Sequence, residues 1–234
     1  MIEIKCFASG SSGNCYLVTD GETLLLLEAG IHWRLIRQHI NFQTGMIAGV
    51  LISHEHQDHA KAVKDAIKSG LDIYASEGTL KAICATGHRV NPVTALKQFK
   101  LGSWTVLPFE TQHDAAAPFG FLLANQAGEK LLYATDTYYI RYMFPGLTHI
   151  MIECNYSIDS LRVNVEAGLV PKALKDRLLS SHLSLEHMKE FLKANDLARV
   201  QEIWLIHLSG DNSDAERFKR EIQALTGKPV FIAG

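Results

Sequence analysis

The chain places four metal-ligand side chains within six residues, directly after an apolar run that predicts a buried strand. The run covers residues 49–53 (GVLIS) and is followed by residues 54–59 (HEHQDH). Imidazole nitrogen and carboxylate oxygen are donors that zinc, manganese and iron accept in proteins. Burying neutral imidazoles beside a carboxylate is costly unless an ion offsets the cost. The segment therefore predicts a metal site rather than a polar loop.

The spacing within this motif predicts its local geometry. His54 and His56 alternate, so both side chains face the same side of an extended segment. Asp58 and His59 then lead into residues 60–68, where apolar residues recur at helical spacing. We therefore expect a strand, a ligand loop and a helix in that order.

Composition sets the limits of the fold. With 234 residues and 47% hydrophobic content, the chain can bury a core as one domain over residues 1–234. The amino-terminal residues lack a signal pattern and no apolar stretch reaches the length of a membrane span, so we expect a cytoplasmic protein without a membrane partner.

A net charge of −2 gives no overall attraction to a polyanion, so any nucleic-acid contact must come from local basic groups and bound ions. The cysteines lack Cys-x-x-Cys spacing, which predicts reduced core residues at Cys6, Cys15, Cys84 and Cys154.

Strand and helix patterns alternate in two rounds, which predicts an α/β protein. In the first third we expect strands over residues 3–8, 15–19, 23–27, 50–52 and 72–74, with a helix over 31–40. The middle predicts strands over 103–109, 119–124 and 130–134. The final third predicts strands over 148–153, 202–206 and 230–232 and helices within 161–179, 185–194 and 214–225, the last with a capping box at Ser213 and Glu216. Two mixed sheets with helices outside would form a four-layer αββα sandwich.

A glycine- and serine-rich loop over residues 9–14 (SGSSGN) joins the first two predicted strands. Glycine opens backbone conformations that other residues avoid, and exposed amides with serine hydroxyls can hold a phosphate. A tight turn explains the same composition. Both interpretations stay open at this point.

Three further ligand-type residues follow apolar strand patterns: His113, Asp136 and His207. Strand ends are rigid platforms, and metal ligands need fixed directions. Together with the first motif they make seven candidates, which is too many for one tetrahedral zinc and suits two divalent ions bridged by a carboxylate. Zinc and manganese fit these donors, and iron is also compatible.

The motif His-x-His-x-Asp-His, followed by His113, Asp136 and His207, resembles the metallo-β-lactamase fold hydrolases over essentially the whole chain. The resemblance implies that Asp136 bridges the ions and that water activated by both is the nucleophile. It also implies one ion on His54, His56 and His113 and a second on Asp58, His59 and His207.

A finer resemblance rests on residues 109–115 (FETQHDA), 118–121 (PFGF), 135–137 (TDT), 153–155 (ECN) and 181–184 (SHLS), together with the loop 9–14. These are similar to the YycJ-like branch, which is associated with exonuclease activity on single-stranded DNA from the 5′ end. The pair Glu153 and His182 also resembles ribonuclease Z, in which the glutamate orients a histidine that protonates the leaving oxygen. We therefore expect His182, Glu153 and Asp58 as catalytic residues.

Some positions depart from the branch pattern. Glu28 stands where an aspartate is usual, and we expect it still to support the ligand loop as an acceptor. Tyr156 and Ser157 replace a usual His-Asp pair, and Leu185 replaces an asparagine. An aromatic and basic cluster at Tyr138, Tyr139, Arg141 and Tyr142 fits either base stacking or packing against helices, and we favour packing.

The leading hypothesis is a metal-dependent phosphodiesterase that acts on nucleic acid, with single-stranded DNA as the favoured substrate. A small cyclic or nucleotide phosphodiester is the first alternative. Hydrolysis of a thioester or lactone is a second, although it needs no strong leaving-group acid. A metal-binding protein without catalysis is the third, and a missing ligand would be its sign.

Overall fold

The computed structural model describes all 234 residues, which form two compact units. The first unit comprises Met1–Glu110, Ala115–Glu129 and Gly234, and the second comprises Thr111–Asp114 and Lys130–Ala233. None of the helices is both long and apolar enough to cross a bilayer. The single domain expected over residues 1–234 stays a prediction.

The first unit contains a six-stranded mixed sheet. In sheet order its strands are β1 (Glu3–Ala8), β2 (Cys15–Thr19), β3 (Leu24–Leu27), β4 (Ile47–Leu51), β5 (Ile73–Ser76) and β6 (Val90–Val93). The first three pair antiparallel, and β3 to β6 pair parallel. Parallel strands are buried on both faces, which explains the unbroken apolar run at β4.

Short helices and three more strands complete the first unit. The helices are α1 (Trp33–His39), α2 (Gln57–Ala60), α3 (Val63–Lys68) and α4 (Glu77–Ala82), with a 3₁₀ turn at Thr44–Met46. The strands β7 (Phe99–Leu101), β8 (Trp104–Glu110) and β9 (Phe119–Ala124) pair antiparallel. On β8 the side chains of Trp104 and Val106 alternate with less buried ones and are fully buried, so they pack one face of this strand into the core.

The second unit is built on four parallel strands. In spatial order they are β10 (Lys130–Ala134), β11 (His149–Glu153), β12 (Glu202–Ile206) and β13 (Val230–Ile232). Its helices are α5 (Ile158–Glu166), α6 (Lys172–Ser181), α7 (Leu185–Ala194) and α8 (Ala215–Thr226). The helix α7 buries Leu185, Met188 and Phe191 at intervals of about one turn, so it packs through an apolar stripe.

The structure corrects three details of the sequence interpretation. The capping box is displaced by one residue, because Asp214 accepts the hydrogen bond from Arg217 N at 2.9 Å while Ser213 Oγ donates to Ser209 O. The helical stretch within residues 161–179 is split where Gly168 adopts a φ of 72° and Pro171 precedes the next helix. All four cysteines are free thiols, but Cys84 is exposed rather than part of the core.

Candidate metal centre

In the first unit, the segment after β4 brings His54 and His56 together. The ring of His54 is fully buried, and its Nδ1 lies 2.9 Å from Ser53 Oγ. Its Nε2 lies 3.1 Å from Nδ1 of His56. Two imidazole nitrogens this close need a proton or a cation between them, because their lone pairs otherwise repel. The pair therefore offers the convergent nitrogen donors that the motif predicted.

The other two ligand candidates of this loop lie on the short helix α2. Asp58 Oδ2 is 3.4 Å from Nε2 of His59, and the His59 side chain is fully buried. On the far side of that ring, Glu28 Oε1 lies 3.6 Å from Nδ1. The same carboxylate accepts a hydrogen bond from Ser53 N at 3.2 Å, so it holds the start of the loop and lies close to its end. The role of Glu28 as a support of the metal ligands stays a prediction, which this contact favours.

The glycine- and serine-rich loop braces this segment. Asn14 donates its backbone N to Asp58 O at 2.7 Å and its Nδ2 to the same oxygen at 3.2 Å. The amides of Gly10 and Gly13 are used within the loop itself, by Asn14 Oδ1 at 2.9 Å and by Gly10 O at 3.0 Å. The bond from Gly13 N to Gly10 O closes a tight turn, as one of the two interpretations predicted. Sequence reasoning missed the bracing role of Asn14.

Gly30 is required at its position by close packing. A Cβ built there would lie 1.7 Å from Asp58 O and 2.7 Å from Asn14 N. No conformational adjustment of a side chain can relieve a clash with two backbone atoms. The Asp58 carbonyl therefore rests directly against a residue that must be glycine.

In the second unit, Asp136 lies between two histidines. Its Oδ2 is 3.4 Å from Nε2 of His113, and its Oδ1 is 3.6 Å from Nε2 of His207. All three side chains are almost fully buried. A carboxylate whose two oxygens face two different imidazoles has the arrangement that a bridging ligand needs.

Backbone strain coincides with these ligands. Asp136 follows β10 with a φ of 44°, and His207 follows β12 with a φ of 53°. The left-handed region is uncommon for residues other than glycine, and such strain persists where the surrounding structure holds it in place. Each ligand is thereby turned out of the direction of the strand that precedes it.

The second ring nitrogens of these histidines are already occupied. His113 Nδ1 lies 2.8 Å from Ser181 O, and His207 Nδ1 lies 3.3 Å from Glu153 Oε1. A hydrogen bond from Nδ1–H to an oxygen fixes the tautomer of the ring. The lone pair of Nε2 is then the one that can bind a metal. Burial lowers the pKa of His113 despite the opposing attraction of Asp136, which favours the neutral, metal-binding form.

Glu153 organises the remaining candidate, His182. Its Oε1 is 2.6 Å from His182 Nδ1, while its Oε2 accepts from Leu183 N at 3.0 Å and Thr137 N at 3.1 Å. Burial alone would lower the pKa of His182, but the Glu153 carboxylate outweighs it and raises that pKa. For Glu153, burial acts to raise the pKa, and His182 reverses the direction and lowers it. The donor atoms of Asp136, Glu153, His182 and His207 all lie within 4.8 Å of one another.

Asn155 is a further support that the sequence did not single out. Its Nδ2 donates to His207 O at 2.9 Å, and it lies just after β11. The neighbouring Glu153 reaches the ring of the same histidine. Residues at the end of β11 thus hold His207, which follows the neighbouring strand β12.

Comparison with known proteins identifies the family. The beta-lactamase superfamily domain matches residues 25–208. The exodeoxyribonuclease YycJ of Bacillus anthracis is 28% identical over 100% of this chain and 92% of its own length. The exodeoxyribonuclease WalJ of Streptococcus pneumoniae serotype 2 is 31% identical over 89% of this chain and 82% of its own length.

Solved structures share the fold. The metallo-β-lactamase fold protein YhfI from Bacillus subtilis aligns with a TM-score of 0.76 at 15% identity, over 99% of this chain and 96% of that chain. The short form of human tRNase Z aligns with a TM-score of 0.64 at 15% identity, over 100% and 96% of the two chains. The predicted fold class is confirmed. The chain belongs to the metallo-β-lactamase superfamily of hydrolases, in the branch that contains the YycJ and WalJ proteins.

Proposed function

We propose that the protein is a binuclear metal-dependent phosphodiesterase that removes nucleotides from the 5′ end of single-stranded DNA. Relatives at 28% and 31% identity are named exodeoxyribonucleases, which supports a nucleic-acid substrate. The observation that carries the proposal is the 2.6 Å contact between Glu153 and His182, beside Asp136 and His207. Cleavage of a phosphodiester expels a poor alkoxide leaving group, and a positioned acid is what that step requires.

The donors of both units fit divalent cations. Each set combines imidazole nitrogens with carboxylate oxygens, and hydrogen bonds to the other ring nitrogen orient several of the histidines. We propose that zinc or manganese occupies both positions, with iron also compatible. When bound, the ions supply an activated water nucleophile and stabilise charge on the phosphoryl oxygens. The proposed ligands are His54, His56, Asp58, His59, His113, Asp136 and His207.

His182 is proposed as the general acid. Its Nδ1 is engaged by Glu153, so Nε2 is the atom that delivers a proton to the leaving oxygen. Glu153 is itself held by the amides of Leu183 and Thr137, which fixes the direction of the imidazole. Asp58 is proposed both as a ligand and as a catalytic residue. A cytoplasmic location belongs to the same proposal.

The test uses one single-stranded DNA carrying a label at either its 5′ or its 3′ end. Protein loaded with zinc or manganese should release the 5′ label as a mononucleotide first, while the 3′ label stays in long products. A cyclic phosphodiester and a thioester serve as competing substrates. Hydrolysis of only one of these small esters would contradict the nuclease proposal. Chelator-treated protein and the His182→Ala variant, purified in the same way, control for a contaminating nuclease.

A further inference from the structure

A cavity of about 280 Å³ lies in the second unit between the segment after Asp136 and the helix α7. Its volume is close to the lower end, roughly 300 Å³, of pockets that hold small molecules. The segment after Asp136 contributes Tyr139, Arg141 and Tyr142, and α7 contributes His187 and Phe191. The lining thus combines aromatic rings and one guanidinium with aliphatic side chains and the carboxylate of Glu190.

Two of the aromatic and basic residues at this cavity are exposed. Tyr139 is 52% exposed, and Arg141 is exposed and forms no ion pair. The packing role favoured from the sequence stays a prediction for these two residues. Exposed aromatic rings and guanidinium planes are the surfaces on which nucleobases stack in single-stranded nucleic-acid complexes.

One polar atom in the lining lacks a partner. Nδ1 of His187 is buried and forms no hydrogen bond. Pockets for small molecules are mostly apolar, with a few polar groups that fix the orientation of the ligand. Nδ1 is shielded from solvent, so the part of His187 that lines the cavity is the rest of its ring.

Hydrogen bonds tie the cavity to the proposed acid. Leu183 lines the cavity and donates its amide to Glu153 Oε2 at 3.0 Å. Thr137 donates its amide to the same oxygen at 3.1 Å and its hydroxyl to Tyr139 O at 2.8 Å. One carboxylate thus holds both segments that border the cavity, and it also holds the ring of His182.

We propose that this cavity receives a nucleobase of the single-stranded substrate, next to the phosphodiester that is cleaved. The inference rests on the proposed nuclease function and adds to it a site for the base. In this arrangement the base stacks on the exposed ring of Tyr139.

The test combines strands that lack one base with variants that lack one ring. A single abasic nucleotide is placed in turn at each of the first positions from the 5′ end. At one position it should lower kcat/KM of the unaltered protein about tenfold, the scale of one base–aromatic stack. Tyr139→Ala should cleave intact and abasic strands at the same low rate, whereas Tyr139→Phe keeps the ring and the preference. Tyr138→Ala is the matched control, because Tyr138 is a neighbouring exposed tyrosine outside the lining.

Fluorescence of 2-aminopurine at the same positions reports stacking without cleavage. Quenching on binding should be lost in Tyr139→Ala and kept in Tyr138→Ala. The cavity proposal would be overturned if the unaltered protein cleaved intact and abasic strands equally and Tyr139→Ala quenched the fluorescence as much as the unaltered protein does. The nuclease proposal would then still stand. Quenching that depends on Tyr139 in a protein that cleaves no DNA would support the cavity and reject the nuclease proposal. Absence of both cleavage and quenching would reject both.

Discussion

The two units supply their ligand candidates in different ways. In the first unit four candidates occupy one short segment, His54–His59, so their spacing restricts the geometry before any tertiary contact forms. In the second unit His113, Asp136 and His207 are distant in sequence and follow different strands. Their geometry exists only once β10, β11 and β12 have paired. A contiguous motif can be interpreted locally, whereas a dispersed one depends on the fold.

The supports differ in the same way. The ligand loop is held largely by backbone hydrogen bonds, including Asn14 N to Asp58 O at 2.7 Å and Ala29 N to His59 O at 2.8 Å. In the second unit side chains do most of this work, since Glu153 and Asn155 each reach His207. We therefore expect the second unit to be more sensitive to the loss of a single side chain.

The largest effect is expected for Asp136→Asn. The amide keeps the size of the side chain but removes the negative charge and one oxygen donor, so bound metal should fall from two ions to one or fewer. Loss of several kcal/mol of charge stabilisation corresponds to about a 10³-fold fall in activity. Elemental analysis after metal loading measures the first quantity. His88→Ala removes an exposed histidine as a control. Unchanged metal content would contradict the bridging role.

A smaller effect, with a different pattern, is expected for His182→Ala. Removing a general acid should slow DNA cleavage by about 10²-fold or more while both ions stay bound. A phosphodiester with a p-nitrophenolate leaving group needs little protonation, so its hydrolysis should fall much less. Kinetics on both substrates, with elemental analysis, make the measurement. Loss of metal, or an equal loss on both substrates, would mean that His182 is a ligand or a structural residue instead.

Much of the fold follows from local patterns. The bounds of β1, β2, β9, β10 and β12 match the predicted strands to the residue. β6 was missed because it contains Pro92, which argues against a strand, and it is tolerated because β6 lies at the edge of its sheet. α4 was missed as well; it is a short helix of six residues.

Within each unit the structure brings predicted ligand residues close together, but the residues that support them were not predicted. Chemistry and placement after apolar strands mark the ligand residues. The motifs 9–14 and 153–155 contain Asn14 and Asn155, but their supporting roles were not predicted, because the hydrogen bonds involved join residues 44 and 52 positions apart. The left-handed backbone at Asp136 and His207 is likewise imposed by tertiary contacts, since neither residue is a glycine.

Gly30→Ala tests whether backbone packing holds the ligand loop. The added methyl group would meet Asp58 O at 1.7 Å, so the loop must shift. Overpacking of this kind costs about 1–3 kcal/mol of unfolding free energy, and the shift should also weaken metal binding. Urea unfolding and elemental analysis measure the two effects. Gly45→Ala is the matched control in the same unit, because nothing lies within 4 Å of its Cβ position. A variant as stable and as metal-rich as the unaltered protein would contradict the bracing role of this contact.

The smallest effects separate the two kinds of support directly. Asn155→Ala removes the bond to His207 O at 2.9 Å, and loss of such a supporting contact typically lowers metal affinity about tenfold or more. Asn14→Ala removes the contacts of Nδ2 with Asp58 O and His59 Nε2, both at 3.2 Å, and the bond from Gly10 N to Oδ1. It keeps the backbone bond to Asp58 O at 2.7 Å, so we expect a smaller loss. Competition with a chelator measures both affinities. Asn125→Ala, whose side chain bonds to Glu129, controls for loss of an amide elsewhere. If Asn14→Ala weakened metal binding as much as Asn155→Ala, backbone bonds would not be what holds the ligand loop, and the contrast between the two units would fail.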